Sequence, residues 1–305
     1  MMDSKEIFRR LAFCLPENQI SAGVSMKEHT TFCTGGIADL MLLPASAKQV
    51  AESLKVLKNL QVPYIIIGKG SNLIVRDGGI RGVVIKLSDN FSKTTVDKNR
   101  IRVQSGATLA AVVRAAHENG LCGMEYASGI PGTVGGAVVM NAGAYGGEIK
   151  DQLAAAKVLD KDLNELTLTT EELHFGYRKS IIAEQQYIVL EAEFLLETGN
   201  IEEAKEKMRD MNRQRREKQP LEYPSAGSTF KRPPGYYAGA LIDAAGLRGL
   251  QTGGAQVSQK HAGFIINTGN ATSADILKLI ETVRQKVLDK CGVLLETEVK
   301  ITGED

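Results

Sequence analysis

The 305 residues, 43% of them hydrophobic, exclude a disordered chain and are enough for two or three domains. With 37 basic and 36 acidic side chains the net charge is +1, which asks for no nucleic-acid partner. No stretch approaches the ~20 apolar residues of a membrane span, and the charged opening MMDSKEIFRRLAFCLP holds no apolar run of signal-peptide length. We therefore expect a cytoplasmic protein without membrane insertion.

In chain order, SAKQVAESLKVLKN places apolar residues at helical spacing behind a Ser cap. VPYIIIG is a short apolar strand, and GGIRGVVIKL a turn and a second strand. RIRVQSG reads as a strand and ATLAAVVRAAHENGLCG as an amphipathic helix with a glycine-rich end. AAAKVLD, NELTLTT and QYIVLEAEFLLE follow as strands. IEEAKEKMRDMNRQRREKQP is a polar helix with charge pairs such as Glu203 to Lys207, stopped by Pro220. A long helix, ADILKLIETVRQKVLDKCG, and a final strand, VLLETEVKIT, complete the α+β pattern. Cys14, Cys33, Cys122 and Cys291 lack CxxC spacing and read as reduced thiols. His29, His117, His174 and His261 lack metal-ligand spacing, so no metal site is expected.

Two glycine-rich segments carry the chemistry. IIIGKGSNLIVRDGG sets Gly68, Gly70, Ser71 and Asn72 behind an apolar strand, and ASGIPGTVGGAVVMNAGAYGG runs from Ala127 to Gly147. Neither holds an intact G-x-G-x-x-G, because Leu73 takes the third position, and neither holds a Walker A, because Gly70 follows Lys69. Glycines there free the backbone to approach a ligand and to turn N–H groups toward an anion such as a diphosphate. Tight turns alone are the plainer reading.

TTFCTGGIADL, IIIGKGSNLIVRDGGI, GIPGTVGGAVVMNAGAYGGEI, FGYRKS, AGSTFKRP and GVLLETEV occur in this order. Together, from about Thr30 to Ile301, they resemble the UDP-N-acetylenolpyruvoylglucosamine reductase family. The resemblance implies a vanillyl-alcohol-oxidase/p-cresol-methylhydroxylase-type FAD-binding domain of two lobes, with a smaller α+β substrate domain. That fold binds FAD without the dinucleotide fingerprint. The implied division is 1–92 and 93–200 for the two lobes and 201–305 for the substrate domain, with 293–302 returning to the FAD-binding part. Non-covalent FAD is implied on Gly68, Lys69, Gly70, Ser71 and Asn72. The second implied stretch is Gly129, Ile130, Pro131, Gly132, Thr133, Gly135, Gly136, Asn141, Gly143, Ala144 and Tyr145. About twenty residues separate FGYRKS from the polar helix, which resembles the family's shorter type, without a tyrosine loop over the substrate.

The implied reaction reduces the enolpyruvyl ether of UDP-N-acetylglucosamine-enolpyruvate to UDP-N-acetylmuramate, with NADPH as co-substrate, for peptidoglycan. Such a site must hold an enolate and supply one proton. Ser228 in AGSTFKRP matches the family's proton donor, and donation needs no histidine beside it; a loop hydroxyl is the plainer reading. Arg178 in FGYRKS matches the family's catalytic arginine, and a guanidinium fits a carboxylate bidentately and stays charged; a surface arginine at a strand end is the plainer reading. Alternation in the last strand puts Leu294, Glu296, Glu298 and Lys300 on one face, with Val293, Leu295, Val299 and Ile301 on the other. It does not separate the two acids; the family motif selects Glu298, for a role either in fixing the charge or in relaying a proton. Tyr177, Lys218, Lys231 and Arg232 are candidate substrate contacts, with core packing or solvated charge as their alternatives. A monomer is expected. A flavin oxidase of the same fold and a non-catalytic nucleotide-sugar binding protein are the rival functions.

Overall fold

Ser46 accepts the Gln49 N–H at 3.2 Å and starts the helix Ala47–Asn59, as its sequence predicts. The protein, seen in a computed structural model that describes residues 4–305, divides into two compact units. The first holds the described residues up to Ala22, then Leu40–Lys69 and Gly82–Gln214; the second holds Gly23–Asp39, Gly70–Arg81 and Arg215–Asp305. The chain thus changes unit at 22/23, 39/40, 69/70, 81/82 and 214/215.

In the first unit, helix Ala47–Asn59 buries Val50, Leu54 and Leu57 with Leu40, Leu42, Val83 and Ile85. The apolar run Tyr64–Ile67 pairs in parallel with Ile80–Lys86, Tyr64 opposite Val83. Continuous apolar sequence suits a strand covered on both faces. A separate five-stranded antiparallel sheet has the order Glu165–Thr169, Leu153–Leu159, Ile188–Leu195, Arg100–Gln104, Thr94–Asp97. Two helices pack on it around a second core. One is Leu109–Glu118, capped by Thr108, which accepts the Ala111 N–H at 3.1 Å. The other, Val134–Met140, lies inside the second glycine-rich segment and ends at Asn141 in the left-handed conformation, φ 43°.

In the second unit, helix Ser273–Cys291 covers the antiparallel strands Gln251–Thr252, Ala255–Val257 and Ile265–Asn267. Thr272 and Asp275 form a reciprocal capping box, and Gly292 closes the helix at φ 69°. Phe32 and Ile74 are buried in this core with Leu279, Val283 and Leu295.

The predicted final strand is corrected. Only Lys300–Thr302 pairs, in parallel with Leu73–Val75. Residues 293–299 make a single bridge, Thr297 to Phe230. The partner segment runs into Pro233 and Pro234, which have no N–H to continue a ladder. A bend at Val299 then resets the alternation. Leu295 and Val299 are buried as expected, but Ile301 is 42% exposed.

Candidate active site

Both units carry part of the sequence-predicted site, and each part is built from close backbone approaches. In the second unit, Ser228–Lys231 runs between two neighbours. Ser228 bridges Phe264, the Thr229 N–H donates to the Gly263 carbonyl at 2.9 Å, and the Thr229 carbonyl accepts the Glu298 N–H at 2.8 Å. The Lys231 N–H donates to the Glu296 carbonyl at 2.8 Å. Ser228 and Glu298 therefore lie on adjacent, hydrogen-bonded segments, with the Ser228 side chain exposed and Glu298 half-buried. Thr229 is buried and its Oγ1 accepts the Ile265 N–H at 3.2 Å, so its hydroxyl belongs to the core.

The two acids that alternation left unresolved differ in surroundings. Lys231 Nζ pairs with Glu296 Oε2 at 3.0 Å on the surface. Glu298 is bracketed instead by Asn72. The Asn72 side-chain amide donates to the Glu298 carbonyl at 3.3 Å, and the Asn72 carbonyl accepts the Lys300 N–H at 3.0 Å. Arg232 stacks on the Tyr237 ring, 4.0 Å from its centroid, and both side chains are exposed. Lys218 is exposed in the last turn of the helix Ile201–Lys218, and Ser71 is half-buried. Gly70 has φ +64°, and a β-carbon there would run into the His29 carbonyl, so this glycine is required by packing within the chain.

In the first unit, Arg178 sits on a two-residue turn closed by mutual hydrogen bonds of Gly176 and Lys179, at 3.0 and 3.2 Å. Its φ is +55°, uncommon for a residue with a long side chain. Its guanidinium lies 5.1 Å from the centroid of the neighbouring Tyr177 ring, and Nη2 approaches the Gly143 carbonyl at 3.5 Å. Gly143 and Ala144 pair with Gly147 and Glu148 across a turn of Tyr145 (φ 52°) and Gly146 (φ 87°). Both central angles are those of the tight hairpin turn that matches strand twist. Asn141, fully buried, donates to Glu148 Oε2 at 3.0 Å and to the Gly176 carbonyl at 3.2 Å, and its Oδ1 accepts the Lys150 N–H at 3.1 Å. The Glu148 carboxyl is held below the usual carboxylate range, first by Lys150, further by Asn141 and by the nearby charge of Arg178. Ile130 and Gly132 are half-buried and Pro131 is exposed in the loop before Thr133.

The glycines around Thr133 test the fit to a flavin nucleotide. A β-carbon at Gly68 would strike the Thr133 hydroxyl, and one at Gly135 would lie 2.9 Å from the Ser105 Cβ; these two are fixed by packing. Gly136 is exposed, and a β-carbon there would meet nothing nearer than the Thr133 hydroxyl at 3.8 Å. Its lack of a side chain is thus unexplained by the protein itself and fits a group lying on bare backbone. The amides of Val134 and Gly135 are taken by the Ala107 and Ser105 carbonyls, each at 2.8 Å. The Ser105 hydroxyl beneath them is buried and has no protein partner, as have the hydroxyls of Thr31 and Thr34 in the second unit. Orphaned buried hydroxyls beside such segments suit a polar cofactor. Sequence reading missed these three and also Lys86, whose ammonium is pushed down by burial, with Lys69 nearby adding to it. A single lysine at the end of each apolar run, Lys69 in IIIGKG and Lys86 in GVVIKL, is the available signal for a pair of cations there. Among the described residues no cluster of three His, Cys, Asp or Glu could hold a metal ion.

Residues 38–168 match the family model of an FAD binding domain, and residues 219–302 that of the C-terminal domain of UDP-N-acetylenolpyruvoylglucosamine reductase. A UDP-N-acetylenolpyruvoylglucosamine reductase of Clostridioides difficile (strain 630) is 49% identical over 304 residues, covering all of both chains. One of Clostridium botulinum (strain Hall) is 53% identical over 288 residues, 94% of each. The crystal structure of UDP-N-acetylenolpyruvylglucosamine reductase from Thermus caldophilus superposes with a TM-score of 0.79 at 37% identity, covering 91% of this chain and 97% of that one. A variant of Phl p 4, a glucose oxidase, has a TM-score of 0.51 at 13% identity over 64% of this chain and 44% of its own, a likeness of fold alone.

Proposed function

The chain belongs to the UDP-N-acetylenolpyruvoylglucosamine reductase family, and from that premise we propose how its own residues divide the work. It is an FAD-dependent oxidoreductase of two-domain α+β fold that reduces UDP-N-acetylglucosamine-enolpyruvate to UDP-N-acetylmuramate with NADPH. FAD held along the two glycine-rich segments would supply the hydride chemistry, with NADPH as the source, for the terminal alkene carbon. The neighbouring carbon, which bears the ether oxygen, must then receive a proton, while negative charge spreads onto the substrate carboxylate.

Ser228 donates that proton. A hydroxyl is a weak acid, so it gives up a proton only to a strongly basic carbon, and a histidine to activate it has no place in the step. The Arg178 guanidinium meets the carboxylate oxygens with two parallel N–H donors and stays charged throughout. Glu298 helps to fix the developing charge or relays a proton. Gly136 leaves its backbone open to the cofactor, with Gly68 to Asn72, Gly129 to Gly135 and Gly143 to Tyr145 as the remaining contact segments. Arg232, Lys218, Lys231 and Tyr177 bind the sugar nucleotide. Residues 1–92 and 93–200 serve FAD and 201–305 the substrate, with Lys300–Thr302 paired to Leu73–Val75. The enzyme works in the cytoplasm as a monomer. Among the described residues no helix is long and apolar enough to cross a membrane.

The observation that carries the residue assignment is the fixing of Ser228 between Phe264 and the Glu296–Glu298 segment with its side chain left exposed. Stopped-flow absorbance tests it. Ser228→Ala should bind FAD and be bleached by NADPH like the wild type, then stay bleached with the enolpyruvyl substrate present. Ser228→Cys keeps a proton on a group of reference pKa about 8.5 and should recover part of the lost rate. Ser225→Ala is the control in the same loop. Wild-type reoxidation in Ser228→Ala would remove this assignment.

A further inference from the structure

Arg178 holds a left-handed backbone that a non-glycine residue rarely adopts, so the surrounding structure must impose it. Two hydrogen bonds tie its turn to the end of helix Val134–Met140. Ser180 Oγ donates to the Val139 carbonyl at 2.7 Å on one side, and Asn141 donates to the Gly176 carbonyl at 3.2 Å on the other. Asn141 is itself left-handed and fully buried. Its second N–H goes to Glu148 and its oxygen to the Lys150 N–H, so the amide is satisfied by protein alone. The Glu148 carboxylate it binds is itself paired with Lys150 Nζ at 2.8 Å.

We propose that Asn141 is the positioning residue for Arg178: it clamps the Gly176–Lys179 turn against the end of helix Val134–Met140, so that the guanidinium is oriented before the substrate carboxylate arrives. This replaces the flavin contact that the resemblance implied for Asn141, and it rests on the reading of Arg178 as the carboxylate-binding arginine. A displacement of about 1 Å in such a group can cost on the order of a hundredfold in rate.

Two variants separate the clamp from the fold. Asn141→Gly keeps the left-handed backbone and deletes the amide. Asn141→Asp keeps the acceptor for the Lys150 N–H but faces Glu148 and the Gly176 carbonyl with an oxygen. Both should purify with full flavin and be reduced by NADPH at the wild-type rate, and both should be reoxidised by substrate about ten- to a hundredfold more slowly. Because Asn141 acts through Arg178, the double variant Asn141→Gly/Arg178→Ala should be no slower than Arg178→Ala alone. Losses that multiply in the double variant, flavin-poor protein, or failure of both single variants to fold would each overturn the proposal. A slow Arg178→Ala beside a wild-type-fast Asn141→Gly removes this inference alone. Wild-type reoxidation in Arg178→Ala removes the reading beneath it.

Discussion

Gly135 and Gly136 are neighbours on one helix turn, yet they forbid a side chain for different reasons. A β-carbon at Gly135 would press on Ser105, whereas at Gly136 it would point into open space. Gly135→Ala should therefore lower the thermal midpoint, by overpacking of about 1–3 kcal/mol, whether or not FAD is added. Gly136→Val should lose bound flavin, read from the absorbance near 450 nm of purified protein, at a cost in apoprotein stability within about 1 kcal/mol. A fully yellow Gly136→Val would sink the cofactor assignment there. Glu296 and Glu298 make a second matched pair. Glu298→Gln should slow reoxidation by substrate by on the order of a hundredfold, while Glu296→Gln only releases Lys231 from a surface ion pair and leaves the rate near wild type. The reverse result would move the role to Glu296. Single residues were the least legible level of the sequence. Ser228 reads locally as a loop hydroxyl, and only the ordered set of motifs picks it out. Period two could not choose between the acids; their difference lies in Lys231 and Asn72, which reach them from distant segments.

Elements with strong local signals were legible. Helix Ser273–Cys291 announces itself through Thr272, Asp275 and Gly292. Helix Val134–Met140 was not legible, because Gly135 and Gly136 in its first turn argue against a helix and only its packing on the five-stranded sheet stabilises it. The last strand was over-read, because two prolines in a segment sixty residues earlier decide where its pairing stops. The Thr272–Asp275 cap gives a prediction at this scale. Thr272→Ala should cost about 1 kcal/mol in denaturant unfolding. The Asp275 carboxyl is held below its usual range, chiefly by the Thr272 N–H at 3.0 Å. A depressed folded pKa contributes stability above the unfolded value of about 4 and loses it as pH falls through the folded value. The stability gap between wild type and Asp275→Asn should therefore be full at neutral pH and shrink in acid. An unchanged gap at acid pH would refute the cap's charged state.

Neither unit is a continuous stretch of chain. The core under helix Ser273–Cys291 needs Phe32 and Ile74, and the Asn267 amide donates to the Phe32 carbonyl at 2.9 Å. A fragment of residues 215–305 lacks both segments. It should show little native helix by circular dichroism and no cooperative melt, although a family model treats 219–302 as a domain. A sharp unfolding transition in that fragment would show the early segments to be dispensable.

The same parallel pairing of Lys300–Thr302 with Leu73–Val75 fixes an order of events in the cell. Ribosomes add about 5–20 residues per second, so Leu73–Val75 waits roughly 10–45 s for its partner. Through that interval Phe32 and Ile74 have no finished core to enter, and Asn72 has no Glu298 to bracket. The second unit therefore stays open at this edge until residue 302 has been translated, and the segment that carries Asn72 meets the Glu298 segment no earlier.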